Sequence, residues 1–220
     1  MCVVDDGSPD GTGAEVKAAM ARHPGRVELI ERSGKGGRGA AVLTGFQRGL
    51  KDPRNYPILF EMDADFSHHP REIGKFLVAL ERYDMVIGSR YIEGGGSSEW
   101  GVARPLLSWL ANKYIALVAG IPVRDMTSGY RGYRREVLEE SQFDKIKVTG
   151  YAVHGEMAYQ AWIHGFQLGE VPIHFKNRAR DASKLTSQEI YWAFVNFAAL
   201  RWRYGFRPRT RPPQAAPPSG

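Results

Sequence analysis

The residues best suited to chemistry are carboxylates and cations that close short apolar runs. Asp63-Ala64-Asp65 follows Ile58-Leu59-Phe60, Asp5-Asp6-Gly7-Ser8 follows Val3-Val4, and a third run, 85–88, leads into Ser89-Arg90. In open α/β sheets ligands gather at the carboxyl ends of strands, where these groups would stand. Two carboxylates one residue apart offer hard oxygen donors that suit Mg2+ or Mn2+, with substrate phosphates completing the shell. Alone, an Asp-x-Asp pair is commonly a solvated turn, but an apolar strand directly before it favours a site. The turn Gly34-Lys35-Gly36-Gly37-Arg38-Gly39 has neither the G-x-G-x-x-G order of a dinucleotide fold nor the Walker order, which disfavours a dehydrogenase. It can bring backbone N–H groups and Lys35 near an anion, or simply lead flexibly into a helix.

The elements that must position these groups alternate. Strand-like runs at 2–4, 27–31, 57–62 and 85–88 are separated by helix-period segments at 14–22, 40–51 and 70–82. Thr12 reads as the cap of the first helix, and Pro70 sits in the first turn of the third. Beyond Gly94-Gly95-Gly96 the pattern predicts a long helix at 104–119 and a strand at 129–133. A helix at 151–164, a strand at 170–175 and a last helix at 187–203 follow. This order predicts an α/β fold with a mainly parallel sheet and helices on both faces. The chain opens directly on a strand, where such sheets usually begin with a further strand, loop and helix. That reads as a fold whose first strand is missing. Residues 1–204 are expected to form the domain. Residues 205–220, with five prolines and no apolar periodicity, are expected to be a disordered basic tail.

Composition narrows the classes. Among 220 residues 43% are hydrophobic, enough for a core, and the single cysteine, Cys2, excludes a disulfide framework and a cysteine-rich zinc site. Cys2 is expected to be a small buried residue, in a reducing compartment. The net charge of +6 is misleading. Five arginines and no acid lie in the last twenty residues, so the first 200 carry 25 bases against 24 acids. A nucleic-acid binder would carry its basic groups as a stripe on the fold, so nucleic acid is not an expected partner. The N-terminus lacks a signal-peptide pattern, and the apolar stretch 105–123 is interrupted by Ser108, Asn112, Lys113 and Pro122, which suits an amphipathic helix better than a membrane span.

Several motifs occur in one order: Val3-Val4-Asp5-Asp6-Gly7-Ser8-Pro9-Asp10-Gly11-Thr12; Arg32-x-x-Lys35-x-Gly37-x-Gly39-x-Ala41; Glu61-Met62-Asp63-Ala64-Asp65-x-Ser67-His68-His69-Pro70; and Gly88-Ser89-Arg90-Tyr91. Further on come Trp100, Arg104, Ser108 and Asn112 at four-residue spacing, then Asp125-Met126-Thr127-Ser128-Gly129-Tyr130-Arg131, then a segment from Arg178 to Ser183-Lys184-Leu185. Together they resemble the dolichol-phosphate or polyprenol-phosphate mannosyltransferases, family-2 glycosyltransferases with the Rossmann-like GT-A fold. The resemblance runs from residue 3 to about residue 190. It implies inverting transfer of mannose from GDP-mannose to a polyprenyl phosphate, with Mg2+ or Mn2+ as cofactor.

By the same resemblance Asp65 is the direct metal ligand, and Asp63 contacts the metal or the ribose. Asp5, Asp6, Arg32 and Lys35 hold the nucleoside. Arg90, Arg104, Ser108, Arg178 and Lys184 gather at the acceptor phosphate, so that catalytic weight falls on Asp65, Arg90, Arg104 and Arg178. Related readings are a glucosyl or other sugar transferase, and an inactive nucleotide-sugar-binding protein. Arg131 reads as part of a structural pair and Asp125 is open. Glu156 either orders the acceptor loop or is solvated. His68 and His69 cap or pack rather than ligate metal. Arg38 stands where the family often has leucine.

A polyprenol tail stays in lipid, so the resemblance also implies work at a membrane surface, peripherally on its cytoplasmic face, with a membrane-anchoring subunit as a possible partner. Tyr191, Trp192, Phe194, Phe197, Leu200 and Trp202, followed by the arginine tail, could dock on anionic lipid or pack on the sheet.

Overall fold

Short apolar strands alternate with one-sided helices, and the pleat decides which helix each strand residue meets. The computed structural model describes residues 1–33, 37–98, 112–113, 120–141, 143, 146, 152–176, 202–205, 208 and 210. Strand β1 (Cys2–Asp5) pairs in parallel with β2 (Glu28–Glu31), joined by helix α1 (Thr12–Arg22). Along α1, Thr12, Val16, Ala19 and Met20 are half-buried at helical spacing, as one amphipathic face requires. Thr12 is not the cap. Gly11 takes that position at φ 87°, and the Asp10 carboxylate accepts from the Thr12 N–H and hydroxyl, so the local bonds run one step earlier than expected.

Helix α2 (Gly37–Leu50) leads to β3 (Ile58–Glu61). A single 3₁₀ turn (Pro70–Glu72), capped by the His69 side chain, opens into α3 (Ile73–Ala79). Then come β4 (Met85–Ser89), β5 (Gly96–Ser98), β6 (Arg131–Arg134), α4 (Arg135–Glu140), α5 (Ala152–Ile163), β7 (Leu168–Pro172) and β8 (His174–Lys176). The expected strand at 170–175 is thus two strands. The expected helices at 104–119 and 187–203 and the tail fall almost wholly outside the described residues.

The central sheet has the order β3-β6-β4-β7. β4 and β7 are parallel, while β6 runs antiparallel to both β3 and β4. Two further parallel pairs, β1-β2 and β5-β8, complete a mixed sheet system with three parallel pairings and two antiparallel ones. Because β3 and β4 both oppose β6, they point the same way, and their following loops leave one edge of the sheet.

On β4, Met85 and Ile87 turn toward a core that includes Phe46 of α2, Val137 of α4 and Met157 of α5. Val86 turns to the other face, where Phe76 and Leu80 lie. Helices therefore cover both faces, as the sequence implies. Gly132 on β6 is required by packing, since a Cβ there would sit 2.7 Å from the Phe60 ring and 3.1 Å from Leu80 Cδ1. Cys2, expected inside, is exposed: it opens β1, whose burial deepens only toward Asp5.

Candidate active site

The loop after β3 carries the carboxylate pair, and its shape is set from within. Asp65 Oδ1 accepts from the Ser67 N–H at 3.0 Å and from its hydroxyl at 2.5 Å, closing a tight turn that places Phe66 at φ 63° with its ring exposed. The Asp63 N–H donates to Nδ1 of His68 at 2.9 Å. His68 is buried, stacked on Tyr130 at 4.9 Å and edge-on to Phe175 at 5.6 Å. Burial pushes its pKa down to about 4, so near neutral pH the ring is uncharged and Nδ1 can accept that backbone proton. His69 accepts from the Arg71 N–H, and its carbonyl accepts from the Tyr130 hydroxyl at 3.0 Å. Both histidines cap or pack, as the sequence suggests. The Lys176 N–H reaches the Ser67 carbonyl at 3.4 Å, which joins β8 to this loop.

Asp63 faces a cation of the protein itself. Arg38, in the first turn of α2, donates from Nη2 to Asp63 Oδ1 at 2.5 Å. Two hard carboxylates one residue apart in this loop, both partly open to solvent, fit a divalent cation that takes its remaining oxygens from a phosphate ligand. Among the described residues no group of three His, Cys, Asp or Glu side chains could hold a metal unaided.

At the end of β1, Asp5 is buried and accepts from the Ser8 hydroxyl at 2.5 Å and the Ser8 N–H at 3.2 Å. Asp6 and Arg32 lie 3.0 Å apart, but Asp6 Oδ1 and Arg32 Nη1 are buried without an aligned hydrogen bond. That leaves bonding capacity for a polar ligand.

Arg90 follows β4 and is held firmly. Its Nε and Nη2 donate to the two oxygens of Asp125 at 2.7 Å each, its N–H donates to Asp125 Oδ2 at 3.0 Å, and Nη2 also reaches the Thr127 hydroxyl at 2.7 Å. Burial raises the Asp125 carboxyl, but Arg90 beside it prevails and holds it below the ordinary carboxylate range. The Asp125 N–H donates to Glu170 and the Met126 N–H to Asn112, so the loop that carries Asp125 is itself pinned. The sequence left Asp125 open; it is the partner of Arg90.

Beneath the loops lies a buried polar group. Glu61 accepts from the Tyr133 hydroxyl at 2.9 Å and lies 3.8 Å from Arg131 Nε and 3.5 Å from His154 Nε2. Arg131 donates to the carbonyls of Ser128, His154 and Met126, so its role is structural, but its partners are these carbonyls and Glu61 rather than Asp125. Burial lowers the His154 pKa. It would raise that of Glu61, yet the neighbouring His154 and Arg131 hold the carboxyl down. Sequence reasoning missed Glu61 and His154, which are 93 positions apart and share no motif. Glu156, open between two roles, is buried, with the Tyr204 hydroxyl donating to it at 2.7 Å. Tyr204 packs against the core while Trp202 is exposed.

The structure therefore gathers Asp63, Asp65 and Arg90 at one sheet edge and places Asp5, Asp6 and Arg32 together after β1 and β2. Lys35, Arg104, Ser108, Arg178 and Lys184 lie outside the described residues.

Residues 1–141 match the family described as Glycosyl transferase family 2. A polyprenol monophosphomannose synthase from Mycolicibacterium smegmatis is 43% identical over 197 residues, covering 89% of this chain and 74% of that protein. An undecaprenyl-phosphate mannosyltransferase from Micrococcus luteus is 38% identical over 211 residues, covering 94% and 85%. Among solved structures, glucosyl-3-phosphoglycerate synthase from Mycobacterium tuberculosis, in complex with Mn2+, UDP-glucose and phosphoglyceric acid, aligns at TM-score 0.57. It is 17% identical, over 90% of this chain and 68% of that one, a likeness of fold that agrees with the expected GT-A architecture. A family match over more than half of the sequence, and relatives well above 30% identity aligned over most of their own length, lead to one conclusion: the chain is a glycosyltransferase belonging to glycosyl transferase family 2.

Proposed function

We propose that this protein moves mannose from GDP-mannose to the phosphate of a polyprenol, with inversion at the sugar carbon. The observation that carries this reading is the 43% identity over 197 residues, 89% of this chain, with a protein named polyprenol monophosphomannose synthase. The chemistry suits the residues. A phosphate monoester with a second pKa of about 6 is largely dianionic at neutral pH and needs positioning more than a general base. One of its oxygens forms the new bond to the anomeric carbon while the bond from that carbon to the donor diphosphate breaks, the electron pair leaving on the diphosphate oxygen.

Asp65 and Asp63 would hold Mg2+ or Mn2+, and that ion would supply Lewis-acid stabilisation of the charge gathering on the diphosphate. Asp5, Asp6, Arg32 and Lys35 would bind the nucleoside. Arg90, oriented in advance by Asp125, would meet the acceptor phosphate together with Arg104, Ser108, Arg178 and Lys184, because guanidinium groups match phosphate geometry.

The lipid acceptor calls for action at a membrane surface, on its cytoplasmic face. Among the described residues no helix is long and apolar enough to cross a membrane. Exposed Trp202 and the arginine-rich end that follows suit a peripheral contact with anionic lipid or with an anchoring subunit.

The test is transfer of radiolabelled mannose from GDP-mannose to a polyprenyl phosphate in mixed micelles, with UDP-glucose as a parallel donor and with EDTA and Mn2+ arms. Lipid-linked mannose should form, vanish with EDTA or Asp65→Asn, and return on adding Mn2+ to the wild type. Preference for UDP-glucose, or transfer indifferent to both EDTA and Asp65→Asn, would overturn the assignment.

A further inference from the structure

We infer that Arg38 is a built-in competitor for the divalent cation, holding Asp63 in the donor-free enzyme and releasing it when a diphosphate arrives. The inference rests on the proposed metal role of Asp63 and Asp65. Arg38 occupies a shaped slot. A Cβ on Gly129 would lie 2.3 Å from Arg38 Nη2 and 3.3 Å from Cζ, so the guanidinium lies in space that residue 129 leaves open by having no side chain.

The start of the arginine stem is fixed as well. Gly39, next in α2, is pressed so closely on α5 that a Cβ there would meet Val153 Cγ2 at 2.2 Å. A cation in the first turn of a helix is poorly placed with respect to the helix dipole, and this first turn contains no acidic residue. The contact with Asp63 is what makes the position favourable. Side-chain exposures of 24% and 20% for Arg38 and Asp63 leave the pair reachable by a ligand.

The consequence is directional. A divalent cation arriving alone meets a guanidinium already on one of its two carboxylates. When it arrives with a nucleoside diphosphate, that guanidinium has a second anion to bind. Metal affinity should therefore be low without the donor and strongly raised by it, which keeps the cation from occupying the site unproductively. At a separation of about 5 Å in a water-like dielectric, repulsion between one guanidinium charge and a divalent ion is worth roughly a tenfold change in affinity.

The experiment is calorimetric titration of the full chain with Mn2+ alone and with GDP present, on wild type, Arg38→Met, Arg38→Lys and Asp65→Asn. Far-UV circular dichroism confirms folding of each. Arg38→Met should bind Mn2+ about tenfold more tightly than wild type without GDP, and GDP should improve its affinity less than it improves the wild type's. Arg38→Lys, which keeps the charge but not the guanidinium, should fall between them. If Arg38→Met binds Mn2+ no better than wild type, or less well, while Asp65→Asn abolishes binding, the competitor role is overturned and the metal site stands. If Asp65→Asn binds Mn2+ as the wild type does, or if no variant binds it even with GDP, the metal site itself falls and the inference falls with it.

Discussion

Removing the carboxylate of Asp125 should be among the costliest single changes available to this fold. Asp125 is fully buried and the Arg90 side chain is 9% exposed, so deleting the acid leaves a guanidinium without its counter-charge in a site water barely enters. The Arg90 N–H, Nε and Nη2 each lose a bond to Asp125, and Nη2 keeps the one to the Thr127 hydroxyl. Breaking one side of a buried pair typically costs about 3–5 kcal/mol. For a chain of this size that corresponds to a fall in melting temperature of roughly 6–20 °C. Asp125→Ala, measured by urea unfolding and by thermal melting, should show this loss. Lys17→Ala provides the contrast, because Lys17 and Glu31 are 59% and 54% exposed, and such pairs contribute at most about 1 kcal/mol. The double variant Arg90→Met with Asp125→Leu should recover a large part of the stability, since the penalty belongs to the stranded charge rather than to the missing contact. A loss below 1 kcal/mol for Asp125→Ala, or no recovery in the double variant, would refute the view that Arg90 is held by a buried ion pair.

Other outcomes follow from single contacts. Gly132→Ala should destabilise by about 1–3 kcal/mol in urea, because its methyl group would have to displace the Phe60 ring. Phe66→Asn should stabilise by about 1 kcal/mol, since asparagine tolerates the left-handed backbone that the exposed phenylalanine adopts at φ 63°. Burial raises the Glu156 carboxyl above its unfolded value, so the charged form opposes folding at neutral pH and that opposition vanishes as pH falls below the unfolded pKa. Glu156→Gln should therefore be more stable than wild type at pH 7, with the difference shrinking toward pH 4 in a series of thermal melts.

How much of this was legible in the sequence depended on the range of the interaction. Strands closed by charged residues announced themselves, because apolar runs of strand length ending in Asp63-Ala64-Asp65 or Ser89-Arg90 carry both signals locally. The helix after Pro70 was readable for the same reason. The pairing of β5 with β8 was not: Gly96-Ser97-Ser98 has no strand propensity and is held by backbone bonding to a distant partner. Helix α4 escaped because six residues are too few to show a helical period. Cys2 misled because small apolar side chains are usually inside, whereas the register that exposes it is a property of its pairing with Glu28.

The candidate site was legible in its residue types and illegible in its pairings. Asp6, Asp63 and Asp125 each stand against an arginine, Arg32, Arg38 and Arg90, that lies 25 to 35 positions away along the chain. Separations of that size follow from the topology, which brings the start of one α/β unit to the end of another. The pairs also differ in burial, and burial separates their tasks. The Arg90 pair is almost wholly buried, so breaking it gives up stability. The Arg32 and Arg38 pairs are partly open, so breaking them costs the fold less. Under the proposed function the two kinds would divide the work: the buried pair would hold its place, and the open arginines would cover the carboxylates until a divalent cation and a diphosphate arrive.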